Sequence, residues 1–212
     1  GATNVTGTGT GTSWPAPYGN WYRNAKHQFL YTAAELNAMG FVGGKISEIA
    51  WEATAQNTAT ANFNSYQIRI GCTSITSLDD WQTGLTDVFG PTNITVALGW
   101  NTHQFTQGYD WDGVSNLIVE ICYDNLATSY TRNWSTPYTT TTYNSSLYYR
   151  SDSQPACPAT TSTTSTNRPV TRFGYCSGDP DPANFTFVYN PTTDMNQLQP
   201  DSVEVFPCVT TD

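Results

Sequence analysis

The chain has 212 residues, which suits a single all-β sandwich or jelly roll and does not require a second domain. Only 12% of the residues are charged, the net charge is −9, and the eight lysines and arginines form no cluster, which argues against a nucleic-acid partner or an anionic membrane surface. Aromatic residues make up 14% of the chain and threonine is frequent, as in pleated extracellular strands, while no apolar run approaches the ~18 residues of a membrane span.

The first predicted element is a glycine- and threonine-rich strand, in which threonine alternates with Gly7, Gly9 and Gly11. With a period of two, one face of such a strand carries threonine and the other is bare backbone, so a ring or another strand can lie against it. We predict an edge strand, with an arm donated to another subunit as the alternative, and assign residues 1–13 to it. The start at Gly1, with no visible signal peptide, indicates a mature or trimmed chain.

An aromatic loop broken by prolines follows at residues 14–22. Trp and Tyr rings stack on the C–H faces of sugars, while neighbouring polar side chains hold the hydroxyls. The loop therefore predicts a glycan-binding surface, and the alternative is that its rings cap the open end of the sandwich. The predicted ligand-binding residues are Trp14, Tyr18, Trp21 and Tyr22.

One helix is predicted, within the segment HQFLYTAAELNAMG. Thr32 and Glu35 have the spacing of a capping box, and Gly40 supplies the stop. The other elements are short strands separated by turns. This pattern predicts an all-β fold, a jelly-roll-like antiparallel β-sandwich with one short helix. The sandwich is assigned to residues 14–190, and residues 191–212 form a C-terminal extension that can add a last strand.

Three strands show informative patterns. KISEIAWEA places Ile46 and Glu48 on one face and Ile49 and Trp51 on the other. YQIRIGC turns its isoleucines and its cysteine inward. LIVEICYD is apolar on both faces, which is typical of a strand in the middle of a sheet. Further strands are predicted at 93–98, 102–105, 129–134, 146–150, 170–173, 185–189 and 202–206.

Several of these segments, in this order, resemble a module of large secreted and surface proteins that gliding Gram-negative bacteria export through the type IX secretion system. The similarity covers about residues 6–174. It implies a non-catalytic β-sandwich with roles in surface adhesion and glycan attachment, and it transfers no catalytic motif. The segments that carry it are the Gly/Thr opening, YRNAKHQFLYTAAEL, GGKISEIAW, YQIRIGCTSITSLDDWQTGL, GWNTHQFTQGYDWDGVSNLIVEICYDN, SLYYRSDS and STTSTNRPVTRF.

Five cysteines are consistent with an oxidising compartment. Cys157 and Cys176 bracket a Ser/Thr-rich loop and the strand after it, and we predict a disulfide between them, which the chain-entropy model values at about 3 kcal/mol. Cys208 is an alternative partner for Cys176, or forms an intermolecular link. Cys72 and Cys122 lie on apolar strands, either reduced and buried or joined by a second bridge. No Cys-x-x-Cys spacing points to zinc.

Two acidic turns predict a calcium site, since hard cations prefer clustered carboxylate and carbonyl oxygens in loops. The residues are Asp110 and Asp112 in one turn and Asp179 and Asp181 in the other. The twelve-residue calcium loop motif is absent, and Asp-Gly is first of all a turn signal. No other cofactor is expected.

No constellation for catalysis is predicted. A serine hydrolase needs His27 or His103 beside an activated serine, and the chain has no Gly-x-Ser-x-Gly elbow. A carboxylate pair for glycoside hydrolysis is the alternative, although Glu120 is better explained as the partner of Arg69 on a neighbouring strand. The carboxylates considered for such a pair are Glu48, Glu52, Glu120 and Asp124.

These features predict a non-enzymatic, secreted or cell-surface module that serves adhesion, with an extracellular glycan or surface polymer as its partner. Low charge, abundant threonine and an odd cysteine favour the alternative, a subunit that assembles with itself into an extracellular filament or layer. Neither function involves nucleic acid or insertion into a membrane.

Overall fold

The computed structural model describes residues 2–7, 11–12, 16–19, 21–56, 61–125 and 134–176. Predictions that lie outside them are those for Trp14, Asp179, Asp181, Cys208, the strands at 185–189 and 202–206, and all but the last residue of the strand at 129–134.

Two antiparallel sheets stack face to face. One has four strands in the order β1-β13-β4-β7, and the other has six in the order β11-β10-β3-β8-β5-β6, with a small sheet β12-β9-β2 beside them. The chain crosses repeatedly between the two large sheets, which confirms the jelly-roll-like β-sandwich. The strands are β1 (Ala2–Val5), β2 (Gly11–Thr12), β3 (Asn24–Tyr31), β4 (Gly44–Ala53), β5 (Asn62–Thr73), β6 (Thr86–Thr95), β7 (Gly99–Trp111), β8 (Asn116–Asp124), β9 (Pro137–Thr140), β10 (Ser146–Ser151), β11 (Thr163–Ser165), β12 (Asn167–Pro169) and β13 (Thr171–Cys176).

The predicted helix, α1, runs from Ala33 to Ala38. Its capping box is confirmed, because the Thr32 side chain accepts a hydrogen bond from the Glu35 amide while the Glu35 carboxylate accepts one from the Thr32 amide. Gly40 follows with a positive φ of 84°. The segment before Thr32 belongs to β3 instead of the helix. Within the described chain no helix is long enough to cross a bilayer.

The central position of β8 is confirmed, with β3 on one side and β5 on the other. Its register pairs Glu120 directly with Arg69 of β5. Arg69 Nη1 lies 3.1 Å from Glu120 Oε1, so the predicted ion pair is present. A strand flanked on both sides and covered on both faces is largely apolar, which explains the composition of β8 around the paired Glu120.

The predicted faces of β4 are wrong at its beginning. A bulge between Ile46 and Glu48, where the register with β7 shifts, reverses the alternation. Ile46, Ile49 and Trp51 are therefore all buried in the core, and Glu48 lies on the outer face.

Aromatic rings fill the space between the two large sheets. Tyr18, Phe63, Tyr66 and Trp51 pack edge to face or tilted, with centroid distances between neighbours of about 6 Å. Both histidines are buried in this layer, and burial lowers the pKa of His103 to about 4. Burial, with a contribution from the Arg150 charge, lowers the pKa of His27 to about 3.

Acid should therefore weaken this fold before its carboxylates are protonated. Well above pH 6.5 both histidines are neutral whether the chain is folded or not; as the pH falls through 6.5 the unfolded chain binds protons that the folded core does not. Each histidine should lower the free energy of unfolding by up to about 2 kcal/mol between pH 6.5 and 5. Urea unfolding at pH 7.5 and 5 should show a smaller pH effect in His27→Gln and in His103→Gln than in the wild type. Equal pH effects in all three proteins would contradict this assignment.

The outer face of the six-stranded sheet carries a third layer, formed by the connections at 74–85 and 152–162. Leu30, Ile118 and Leu147 of the sheet form an apolar cluster with Leu78 of the first connection. The Trp81 indole donates a hydrogen bond to the Thr161 carbonyl oxygen at 3.2 Å and so joins the two connections. A sheet that would otherwise face solvent is thereby covered.

The predicted amino-terminal arm lies at an edge of the sandwich in its described part. β1 pairs with β13 of the same chain, with Ala2 opposite Tyr175 and Val5 opposite Arg172. β1 precedes the alternating threonines and glycines that predicted the edge strand, and residues 8–10 of that segment lie outside the described residues, so β1 does not test that prediction. Donation of the arm to another copy stays a prediction.

Candidate functional site

An open cleft lies where β11 stops covering the edge of β10. β11 pairs with β10 only along Ser146–Tyr148, and no described strand covers the next three residues of β10 on that side. The cleft has a volume of about 310 Å³, which lies at the lower end of the range for small-ligand sites. We call it the β10–β11 cleft, and its lining residues are Tyr148, Tyr149, Arg150, Thr161, Ser162 and Thr163.

One wall of the β10–β11 cleft is a strip of hydroxyl groups. Thr161, Ser162 and Thr163 are exposed, and their hydroxyls have no hydrogen-bond partner within the described residues. The strip is held in place through its backbone, because the Thr161 carbonyl accepts from Trp81 and Thr163 pairs with Tyr148. These hydroxyls can therefore donate to and accept from a ligand.

The opposite wall is built from consecutive aromatic and cationic residues of β10. Tyr148 and Tyr149 alternate between the two faces of the strand, and both are partly exposed. The Arg150 guanidinium lies 4.6 Å from the centroid of the Tyr22 ring and 5.6 Å from that of Tyr148, which is within the range of cation–π attraction. Arg150 thus links the cleft to the aromatic loop that the sequence singled out.

The structure separates the predicted aromatic residues. Trp21 is 49% exposed and Tyr22 is partly exposed beside Arg150, so both rings face the surface. The prediction that Tyr18 binds a ligand is wrong, because Tyr18 is fully buried and its hydroxyl lies 2.8 Å from His103 Nε2. A ring in the core cannot stack on a sugar, and Tyr18 instead follows the alternative, in which aromatic rings close the sandwich.

The disulfide joins Cys157 to Cys122, so the predicted pairing of Cys157 with Cys176 is wrong. Cys122 points to the outer face of β8, and the connection at 152–162 folds over that face, which brings the two Cα atoms to 5.3 Å. Sequence spacing could not show this fold-back. Cys72, predicted to face inward, is exposed and not part of a disulfide.

Of the predicted calcium ligands Asp110 and Asp112, Asp112 lies in a turn that its own side chain closes through hydrogen bonds. Asp112 Oδ1 accepts from the amides of Val114 and Ser115, and its Oδ2 accepts from the Ser115 hydroxyl at 2.6 Å. These bonds hold the pKa of Asp112 below its usual value. No group of three or more His, Cys, Asp or Glu side chains suited to a metal occurs in the described chain. Calcium stays a prediction.

The four carboxylates considered for glycoside hydrolysis do not all share one face. Glu48 and Glu52 lie on the outer face of the four-stranded sheet, opposite the core residues of β4. Glu120 lies on the outer face of the six-stranded sheet, on the other side of the sandwich. There it is 3% exposed, and its oxygens are engaged by Arg69, Lys26 and Gln28.

The sequence did not identify the tyrosines of β10 as site residues. Residues 146–150 were predicted only as a strand, and that strand is confirmed. Two adjacent tyrosines in a strand necessarily point to both faces, and the Ser/Thr tract at 160–166 is rich in hydroxyls. The hairpin between β10 and β11 places these two segments side by side.

Comparisons with known proteins add little to this geometry. No family model and no curated protein matches the sequence. Among solved structures, the chain is similar to the crystal structure of the cysteine protease and lectin-like domains of Cwp84, a surface layer associated protein of Clostridium difficile. The identity is 12% and the TM-score 0.38, and the alignment covers 71% of this chain and 32% of that chain, about a third of its length. Similarity at this level assigns neither a fold family nor a function.

Proposed function

We propose that this chain is a non-catalytic extracellular module for surface adhesion that binds a glycan at the β10–β11 cleft. The observation that carries the proposal is that a hydroxyl strip, Thr161 to Thr163, and the partly exposed Tyr148 and Tyr149 line the same cleft. Sugars present apolar C–H faces and a rim of hydroxyls, and this lining matches both.

The surface beside the cleft extends the same chemistry. Tyr22 stacks with Arg150, and the adjoining Trp21 exposes half of its side chain. Two neighbouring aromatic rings at the surface offer an apolar face on which a sugar ring can stack. A glycan longer than one ring would therefore contact the cleft with one residue and the Trp21–Tyr22 loop with the next.

An extracellular location is supported by the disulfide, because such bonds persist in oxidising compartments and are rare in the cytosol. Low charge and abundant threonine agree with it. On the basis of the sequence resemblance, we include export by the type IX secretion system in the proposal.

The proposal of a non-catalytic role is supported by the carboxylates Glu120 and Glu35, which are held in ion pairs and hydrogen bonds. Glu120 is surrounded by cations and an amide, and Glu35 is held by Arg168 at 3.1 Å, which with hydrogen bonds lowers the pKa of Glu35 to about 2 despite burial. These carboxylates act as anchors for neighbouring elements. None of the described residues that line the β10–β11 cleft is a carboxylate, a histidine or a cysteine.

Binding to a glycan array tests the proposal. We expect Tyr149→Ala, and the double change Trp21→Ala with Tyr22→Ala, each to weaken binding roughly tenfold, about 1.4 kcal/mol, because each removes a stacking surface. Affinity for the best array ligand would then be measured by calorimetry.

Val114→Ala serves as the control, since Val114 is 78% exposed in a turn outside the cleft and should leave the affinity unchanged. The proposal fails if no glycan binds. It also fails if binding survives both the Tyr149 variant and the double variant.

A further inference from the structure

The strand β7 forms an edge of the four-stranded sheet, and part of this edge is left open. It has 13 residues and, among the described strands, pairs only with β4. Past its middle, the Thr106 and Gln107 side chains reach β6 and donate hydrogen bonds to its backbone carbonyls, both at 3.1 Å. Nearer its start the two strands separate and leave an opening of about 460 Å³ along residues 100–103. We call residues 99–104 the open edge of β7.

The open edge of β7 lacks the devices that usually keep an edge strand from pairing with another chain. Proteins protect such edges by keeping the strand short or by placing charged residues or proline on it. Among the described strands, the other edges belong to strands of two to four residues or to β6, which contains Asp87 and Pro91. The open edge of β7 has neither a charge nor a proline. Its unpaired backbone groups are therefore a template for another strand.

The distribution of charge favours a second copy of the chain as the partner. No Asp, Glu, Lys or Arg occurs from Val88 to Tyr109, a stretch that includes most of β6 and the whole open edge. Burial lowers the pKa of His103 to about 4, so this ring is also neutral at pH 7. In a two-fold interface the same patch of both copies meets, so a charge near the axis faces its own kind. An uncharged patch avoids this repulsion, although each copy has a net charge of −9.

The turn that leads into the open edge is fixed and carries an exposed apolar side chain. Asn101 Nδ2 donates to the Ala97 carbonyl at 2.8 Å, and Asn101 Oδ1 accepts from the Ala97 amide at 2.9 Å. Leu98, between them in the chain, is 65% exposed. The strand is thus held in position before a partner arrives, which reduces the entropy lost on pairing. Burial of Leu98 by a partner would add to the free energy of association.

We propose that the open edges of two copies pair antiparallel about a two-fold axis, so that two four-stranded sheets become one sheet of eight strands. Trp100 and Thr102 lie on the outer face of β7, and Asn101 and His103 lie on the inner face, because His103 is opposite the core residue Ile49. Pairing keeps like faces together only when it is centred on a residue, here Asn101 or Thr102. In either register the two exposed Thr102 side chains are opposite or diagonal neighbours.

This pairing leaves the β10–β11 cleft uncovered, because β11 is the edge strand of the other sheet that lies farthest from β6. A dimer therefore presents two such clefts. Their joint use rests on the proposed glycan binding, and it would strengthen attachment to a surface that carries many copies of the glycan. The dimer itself does not depend on glycan binding and is measured without any sugar.

Sedimentation equilibrium of the full chain tests the pairing. The wild type should form a dimer that tightens as salt is added, because salt screens the net charge of −9 on each copy. Thr102→Lys should weaken the dimer by roughly fivefold or more, because it brings two like charges together on neighbouring strands. Thr102→Ser should leave the dimer unchanged. So should Thr164→Lys, which makes the same change of net charge at an exposed position of β11.

A mixture of Thr102→Lys and Thr102→Asp gives the sharpest result. Each variant alone should dimerise weakly, while the mixture should form a heterodimer, since opposite charges then meet at the axis. Circular dichroism spectra equal to that of the wild type check that the variants fold. A wild type that stays monomeric at every concentration overturns the proposal, and so does a dimer that Thr102→Lys leaves intact. Equal weakening by Thr164→Lys also overturns it, because the effect would then follow net charge and not this edge.

Discussion

Replacing Glu120 by Gln should destabilise the protein by about 3–5 kcal/mol, because it leaves the buried cation of Lys26 without its counter-charge. Lys26 is 8% exposed, and its Nζ lies 3.6 Å from Glu120 Oε2 and 4.3 Å from the centroid of the Trp81 ring. Arg69 retains Asp87 as a second partner at 2.8 Å, so most of the loss should come from Lys26. Urea unfolding at pH 7.5 measures the change.

Glu52→Gln is the matched control, since Glu52 is partly exposed on the opposite sheet and surface changes of this kind are usually within about 0.5 kcal/mol. Adding Lys26→Met to Glu120→Gln should recover part of the stability, because the buried charge is removed together with its partner. Equal effects of Glu120→Gln and Glu52→Gln would refute the role assigned to the cluster.

Removing the Cys122–Cys157 disulfide should cost about 3–4 kcal/mol. The bond closes a loop with a sequence separation of 35, between loop lengths that the chain-entropy model values at about 3 and 4.7 kcal/mol. It also fastens the connection at 152–162 over the sheet, so Cys157→Ser should loosen the hydroxyl wall of the β10–β11 cleft. Thermal and urea unfolding of Cys157→Ser measure the first effect, and glycan affinity measures the second.

Cys72→Ser is the control, because Cys72 is exposed and not in a disulfide. Tryptic mapping without reduction should recover peptide 151–172 joined to peptide 70–132. Recovery of peptide 151–172 joined to peptide 173–212 would instead support the pairing of Cys157 with Cys176 that the sequence predicted. It would contradict a structure in which the connection at 152–162 folds over β8.

The disulfide illustrates how far local sequence patterns reach. Thr32 and Glu35 predicted the helix start correctly, because a capping box involves residues only three positions apart. The apolar run of β8 predicted its central position, because a strand that is buried on both faces has apolar residues at consecutive positions. The Glu120–Arg69 pair followed from the same periodicity in two strands. Each of these predictions used only the pattern inside a single turn or inside individual strands.

Features that join distant segments were decided only by the tertiary structure. Tyr18 looked like its loop neighbour Trp21, yet one is buried and the other exposed, because the opposing sheet covers only the first. One bulge in β4 reversed the face of Ile46. Thr161 and Tyr149 line one cleft because the connection at 152–162 folds back along β10. Periodicity records which side of an element is apolar, whereas the partner of that side depends on strand order and loop closure, which no short-range pattern encodes.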